Sequence, residues 1–155
     1  MNCVYGYTFF TGADALLAVK ESKKWNRRYS MEAPIHSQVE FDDGILDVRT
    51  ERGFILDFRS GSPLLDWFAP NLGSLDERHG WWMHDCLAYA QSLNFSKTNY
   101  ALKYYLRDIV GYCKARAELI RKAVSISKKW YGRPKPTEWS YSNIGLVNTV
   151  WMPKK

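Results

Sequence analysis

Residues 37–58 alternate polar and apolar side chains and are broken twice by turn signals, Asp42-Asp43-Gly44 and Glu51-Arg52-Gly53. A period of two places one set of side chains on each face of a strand, and the glycines give the backbone freedom that a reversal needs. The stretch therefore predicts three short antiparallel strands at 37–41, 45–50 and 53–58. No other feature constrains the chain as strongly, because a half-apolar sheet needs a second layer over its apolar face.

Helical periodicities supply that layer. Thr11-Gly12 precedes Ala13-Asp14-Ala15-Leu16-Leu17-Ala18-Val19, which runs on into Lys20-Glu21-Ser22-Lys23-Lys24 as one short helix within an N-terminal helix and lead-in, 1–36. Residues 59–79 are rich in Gly, Ser, Pro and Asn and read as a long connection, a kind that often carries function. Helices are expected across 80–132. Trp81–Ser92 contains no breaker. Ser96 is read as N-cap of a second helix, with Leu102, Leu106, Ile109 and Cys113 along one face. A third runs from Ala115 to Tyr131, stopped by Gly132 and Pro134. An aromatic tail, 133–155, follows, and Ile144–Met152 is compatible with a strand. The expectation is one α+β domain over 1–155: a three-stranded antiparallel sheet followed by a three-helix layer.

Composition narrows the class. With 46% hydrophobic and 25% charged residues the chain is globular in type, and no apolar run approaches the roughly 18 residues of a membrane span. Met1-Asn2-Cys3-Val4-Tyr5 lacks the basic-then-apolar order of a secretory leader. Cys3, Cys86 and Cys113 form no CxxC pair, which argues for a reducing compartment and against a zinc ribbon. Charge is segregated: residues 31–92 carry net −7 and residues 93–155 carry net +10. The cations of the basic half, including Lys122, Lys128 and Lys129, are spread round the helix and read first as a solvated face, with phosphates or an oppositely charged protein neighbour as the alternatives. Trp139, Tyr141 and Trp151 in the tail read equally as a lid on the core or as anchors for another protein. A protein partner is the favoured reading, and nucleic acid the lesser one.

His84-Asp85 is the pair that most suggests chemistry. It lies inside the apolar helix Trp81-Trp82-Met83-His84-Asp85-Cys86-Leu87-Ala88, where a carboxylate needs a partner. Histidine can serve as a base at neutral pH, and the adjacent carboxylate can hold a cation or a water. Fifteen residues on, Asn99 begins the inward stripe of the next helix. A short turn at 93–96 makes the two helices antiparallel neighbours, so Asn99 is expected to face His84. The alternative is a buried His and Asp tied into structural hydrogen bonds. His79 and His84 fall on different helix faces and make a poor metal pair, and His36 stands alone near a strand. A Ser62 nucleophile would lack a visible third partner.

Gly53-Phe54-Ile55-Leu56-Asp57-Phe58-Arg59-Ser60-Gly61-Ser62-Pro63, then Trp67 and Pro70, then His84-Asp85, resembles a bacteriophage family with no assigned reaction. The family pattern runs Gly-Phe-x-Thr-Asp-Phe-Ala-Ser-Ile-Pro, a Trp and a Pro, His-Asp-x-Leu-Tyr, and an Asp on the following helix. The likeness spans about residues 37–132, and the pattern is itself similar to phospholipase A2. That resemblance implies His84 as base, Asp85 as calcium ligand, and position 99 as the carboxylate that orients the histidine. The chain departs at telling places: position 99 is Asn, Ala88 stands where Tyr is expected, Leu56 replaces Thr, and no Gly-rich calcium loop is evident. An Asn can orient a histidine but cannot balance an imidazolium; in a serine-protease triad the same change costs about 10⁴ in turnover.

These readings lead to one expectation. The chain is a phage-encoded virion or tail-associated structural or adaptor protein on a hydrolase-like scaffold, with an eroded His-Asp site and other phage proteins as partners. It needs no cofactor, would reside in the host cytoplasm during assembly, and would then enter the virion. The alternatives are a small metal-assisted hydrolase acting on phospholipid or cell wall, with calcium at Asp85, and a nucleic-acid-binding accessory protein.

Overall fold

The computed structural model describes residues 1–21, 28–56, 73–90, 92–131 and 143–155, side chains at 20, 21 and 127–131 excepted. In chain order the elements are β1 (Val4–Thr11), α1 (Ala13–Leu17), β2 (Lys20–Glu21), β3 (Tyr29–Ser30), β4 (Ile35–Phe41), β5 (Gly44–Thr50), β6 (Ile55–Leu56), α2 (Leu75–Ala90), α3 (Phe95–Asp108), α4 (Lys114–Tyr131) and β7 (Val147–Pro153). The fold is α+β. Its main sheet is four-stranded and antiparallel, in the order β1-β4-β5-β7.

The period-two pattern builds the centre of that sheet. Phe41 pairs with Gly44 across a two-residue loop, Asp42-Asp43, and Ile35, Val39, Phe41, Leu46 and Val48 all turn inward. Gly44 is required by a close approach: a Cβ there would lie 2.4 Å from the Trp151 ring on β7. Trp151 also sets its ring edge against Phe41 at 5.7 Å.

The sheet differs from the expected three strands in two ways. Residues 4–11, read as lead-in, form the edge strand β1. Residues 53–56 do not extend the hairpin. Gly53, at φ +90°, turns the chain away, its N–H bonds to the Met31 carbonyl, and β6 pairs with β3 in a separate small sheet, β2-β3-β6. The vacated place beside β5 is taken by β7, so residues 143–155 are built into the fold rather than forming a tail. Asn143 secures this junction. Buried, it accepts from the Ile55 N–H at 2.7 Å and donates to the Ile55 carbonyl at 2.8 Å, as a neighbouring strand would.

α1 stops at Leu17, short of the expected run through Lys24, because the chain enters β2 at Lys20; of the three long helices, α2 and α3 pack on the main sheet and α4 packs against α3. α2 begins earlier than expected, because Ser74 and Glu77 form a reciprocal capping box (Ser74 N–H to Glu77 Oε2 3.0 Å, Glu77 N–H to Ser74 Oγ 3.3 Å). The connection read over 59–79 therefore ends by residue 74; residues 57–72, with Ser62, Trp67 and Pro70, lie outside the described residues. α3 is capped by Asn94, not Ser96: its side chain accepts from the Lys97 N–H at 2.9 Å. α4 falls within a residue of expectation. α2 and α3 meet closely at Gly80, where a Cβ would sit 2.7 Å from the Tyr105 ring. Trp82, Met83, Cys86, Leu102, Tyr105 and Ile120 join the strand residues in one apolar core. No helix among the described residues is long and apolar enough to cross a membrane.

Candidate functional site

α2 and α3 are antiparallel neighbours joined by a short turn, and this places His84 against Asn99 as the spacing requires. His84 Nε2 lies 3.0 Å from Asn99 Oδ1. Asn99 Nδ2 donates to Ser125 Oγ at 3.1 Å, and the Ser125 hydroxyl donates to the Arg121 carbonyl at 2.8 Å. The order of donors is thereby set. In the uncharged ring Nε2–H must donate to Asn99, which leaves Nδ1 as the acceptor on the side of Asp85, whose Oδ1 is 3.8 Å away. The Trp81 ring stands edge-on to the imidazole at 6.2 Å. His84, Asp85 and Asn99 are 6%, 8% and 1% exposed, so the cluster is nearly closed to solvent on all three members.

Phe54, from the Gly-Phe segment, packs edge-to-face on Tyr89 of the His-Asp helix at 5.8 Å.

Calcium takes six to eight oxygens, and Asp85 offers two at most. Among the described residues no group of three or more His, Cys, Asp or Glu could hold a metal. The described side chains do not build a calcium site around Asp85.

Of the expected partner-binding residues, Lys122 is exposed on α4, and the side chains of Lys128, Lys129, Trp139 and Tyr141 lie outside the described residues. Trp151 belongs to β7. It is half-buried and lines a cleft of about 360 Å³ together with Leu93, Lys97, Tyr100 and Tyr104.

Two polar clusters were not legible from local sequence. His79 is fully buried, with Nε2 2.8 Å from Ser37 Oγ and Nδ1 2.7 Å from the Tyr105 hydroxyl, and Tyr7 stacks on it at 4.2 Å. Burial alone pushes its pKa down to about 3. His36, read as isolated, bonds through Nε2 to Asp47 Oδ1 at 2.8 Å and stacks under Phe10 at 4.6 Å. Asp47 also receives Gln38 at 2.8 Å and the Arg49 Nε–H at 2.9 Å. Burial would raise that carboxyl, but these three hydrogen bonds outweigh it and hold it below its usual value.

Searches of protein-family models, curated proteins and solved structures find no match to the chain.

Proposed function

We propose that the chain is a non-catalytic virion or tail-associated adaptor, built on a hydrolase-like scaffold whose His-Asp pair has become a structural fastening. The supporting observation is the path from His84 through Asn99 and Ser125 to the Arg121 carbonyl. An amide, a hydroxyl and a peptide carbonyl carry no charge. Such a path holds the imidazole in one orientation but adds no charge to stabilise an imidazolium, leaving Asp85 alone, 3.8 Å away, to do so; the path favours fastening the ring over cycling its proton. The resemblance of the 53–63 and 84–85 segments to a phage family supports other phage proteins as the partners, with residence in the host cytoplasm and then the virion.

Hydrolysis is the competing reading, because Nδ1 is left as the ring's acceptor beside Asp85. Purified protein assayed on phospholipid vesicles and peptidoglycan, with and without calcium, separates the two. The adaptor reading expects no turnover and a His84→Ala variant that loses thermal stability. Turnover that His84→Ala abolishes while the melting temperature holds would establish the hydrolase. Activity first appearing in Asn99→Asp would show that only the orienting charge had been lost.

A further inference from the structure

The exposed face of α4 is an interaction surface, and we infer that it docks an acidic amphipathic segment of a partner protein. Ala115, Leu119, Lys122 and Ile126 are spaced by four, three and four residues, which aligns them along one side of the helix. Leu119 and Ile126 are 46% and 44% exposed, an apolar stripe with a lysine set between its two ends. On the described part of α4 the cations are Lys114, Arg116, Arg121 and Lys122, and the acidic residue is Glu118. That carboxylate is ion-paired with Arg121 at 2.6 Å and Lys103 at 2.9 Å, and the two cations offset its charge toward an incoming acid. A cleft of about 490 Å³ adjoins the stripe at Ala115, and Lys103, Arg107 and Lys114 line it.

Nucleic acid is the other anion that suits a basic surface, and two observations disfavour it. Single strands bind by stacking bases on open aromatic faces. Here Tyr100 and Tyr104 stack on each other at 5.9 Å, Arg121 lies 4.7 Å from the Tyr100 centroid, and Arg107 lies 5.0 Å from that of Tyr104. Their faces are already occupied by cations. Phosphates, moreover, have no use for Leu119 and Ile126. A helix that carries leucines on one side and glutamates beside them satisfies both the stripe and its charges.

The inference rests on the adaptor reading for its choice of a protein partner. Its test reads binding alone, so its failure leaves the turnover result untouched. The probe is a fluorescein-labelled acidic amphipathic peptide of about 18 residues, with leucines at helical spacing, measured by anisotropy against the full chain. A scrambled peptide of identical composition and an oligothymidylate of about 20 nucleotides serve as comparisons. The patterned peptide should bind at least about tenfold more tightly than either. Leu119→Ser with Ile126→Ser should cost about tenfold or more, and Lys122→Glu should cost a similar factor that shrinks as salt rises. These positions are exposed, so unchanged melting curves should confirm folding. No binding by the patterned peptide, equal binding by the scrambled one, indifference to the Leu119/Ile126 pair, or tighter binding by the oligonucleotide would each overturn the proposal.

Discussion

His79 makes stability depend on pH with a sign and a size that can be worked out in advance. In the unfolded chain a histidine takes up a proton below about pH 6.5. In the fold, enclosed by Tyr7, Phe9, Trp82 and Tyr105, burial holds its pKa near 3. Between those values the unfolded state binds more protons, so stability rises with pH and is lost as pH falls below about 6.5. The loss approaches about 1.4 kcal/mol per pH unit, or about 1.9 kcal/mol in going from about pH 7 to pH 5. Carboxylates and other histidines titrate over part of this range, so the useful quantity is a difference. Urea unfolding of the parent and of His79→Gln, which keeps polar atoms for Ser37 and Tyr105 but cannot titrate, should be followed from pH 7 to 5. The variant should be less stable at pH 7, and the gap should narrow by about 1.9 kcal/mol at pH 5. A gap independent of pH would refute the argument. A gap widening toward acid would mean that His79 is charged within the fold.

Gly80→Ala should destabilise by about 1–3 kcal/mol in urea unfolding despite alanine's better helix propensity, because the new Cβ meets a Tyr105 ring anchored through its hydroxyl to His79. Asn143→Ala should cost about 1–3 kcal/mol and raise the hydrogen-exchange rate of the Ile55 amide, since both main-chain groups of Ile55 lose their partner; Asn143→Asp, which turns a buried carboxylate oxygen against the Ile55 carbonyl, should cost at least as much.

What could be read beforehand was local. The β4–β5 hairpin shows its alternation because one face is buried throughout, and His84 meets Asn99 because a short turn between helices leaves few alternatives. β1 escaped notice because aromatic residues lie on both its faces: Tyr7 and Phe9 pack on His79, whereas Tyr5 and Phe10 are exposed. Its register also slips between Val4 and Gly6 and again between Phe9 and Thr11, which breaks the period. The α2 start is written in the chain as Ser74-Leu75-Asp76-Glu77, a capping box set within a stretch whose Gly, Ser, Pro and Asn content reads as loop. Other features were beyond any local pattern. Ser37 reaches His79 from 42 residues away, and Ser125 reaches Asn99 from 26, so only the assembled layers join them. The same holds for the strand beside β5, which no periodicity in 37–58 could identify as 147–153.

That last pairing also governs how the fold forms. β5 finds one neighbour across a two-residue turn and the other roughly one hundred residues later, so half of its ladder is a contact of very high sequence separation. Closing so large a loop is entropically expensive and comes late. Until β7 docks, β5 presents an unpaired hydrogen-bonding edge beside apolar side chains, a template that the β7 of a second copy would match as well as its own. Refolding at rising protein concentration should therefore trade monomer for strand-exchanged dimer, and the kinetic bottleneck should lie at the C-terminal strand rather than in the helical layer.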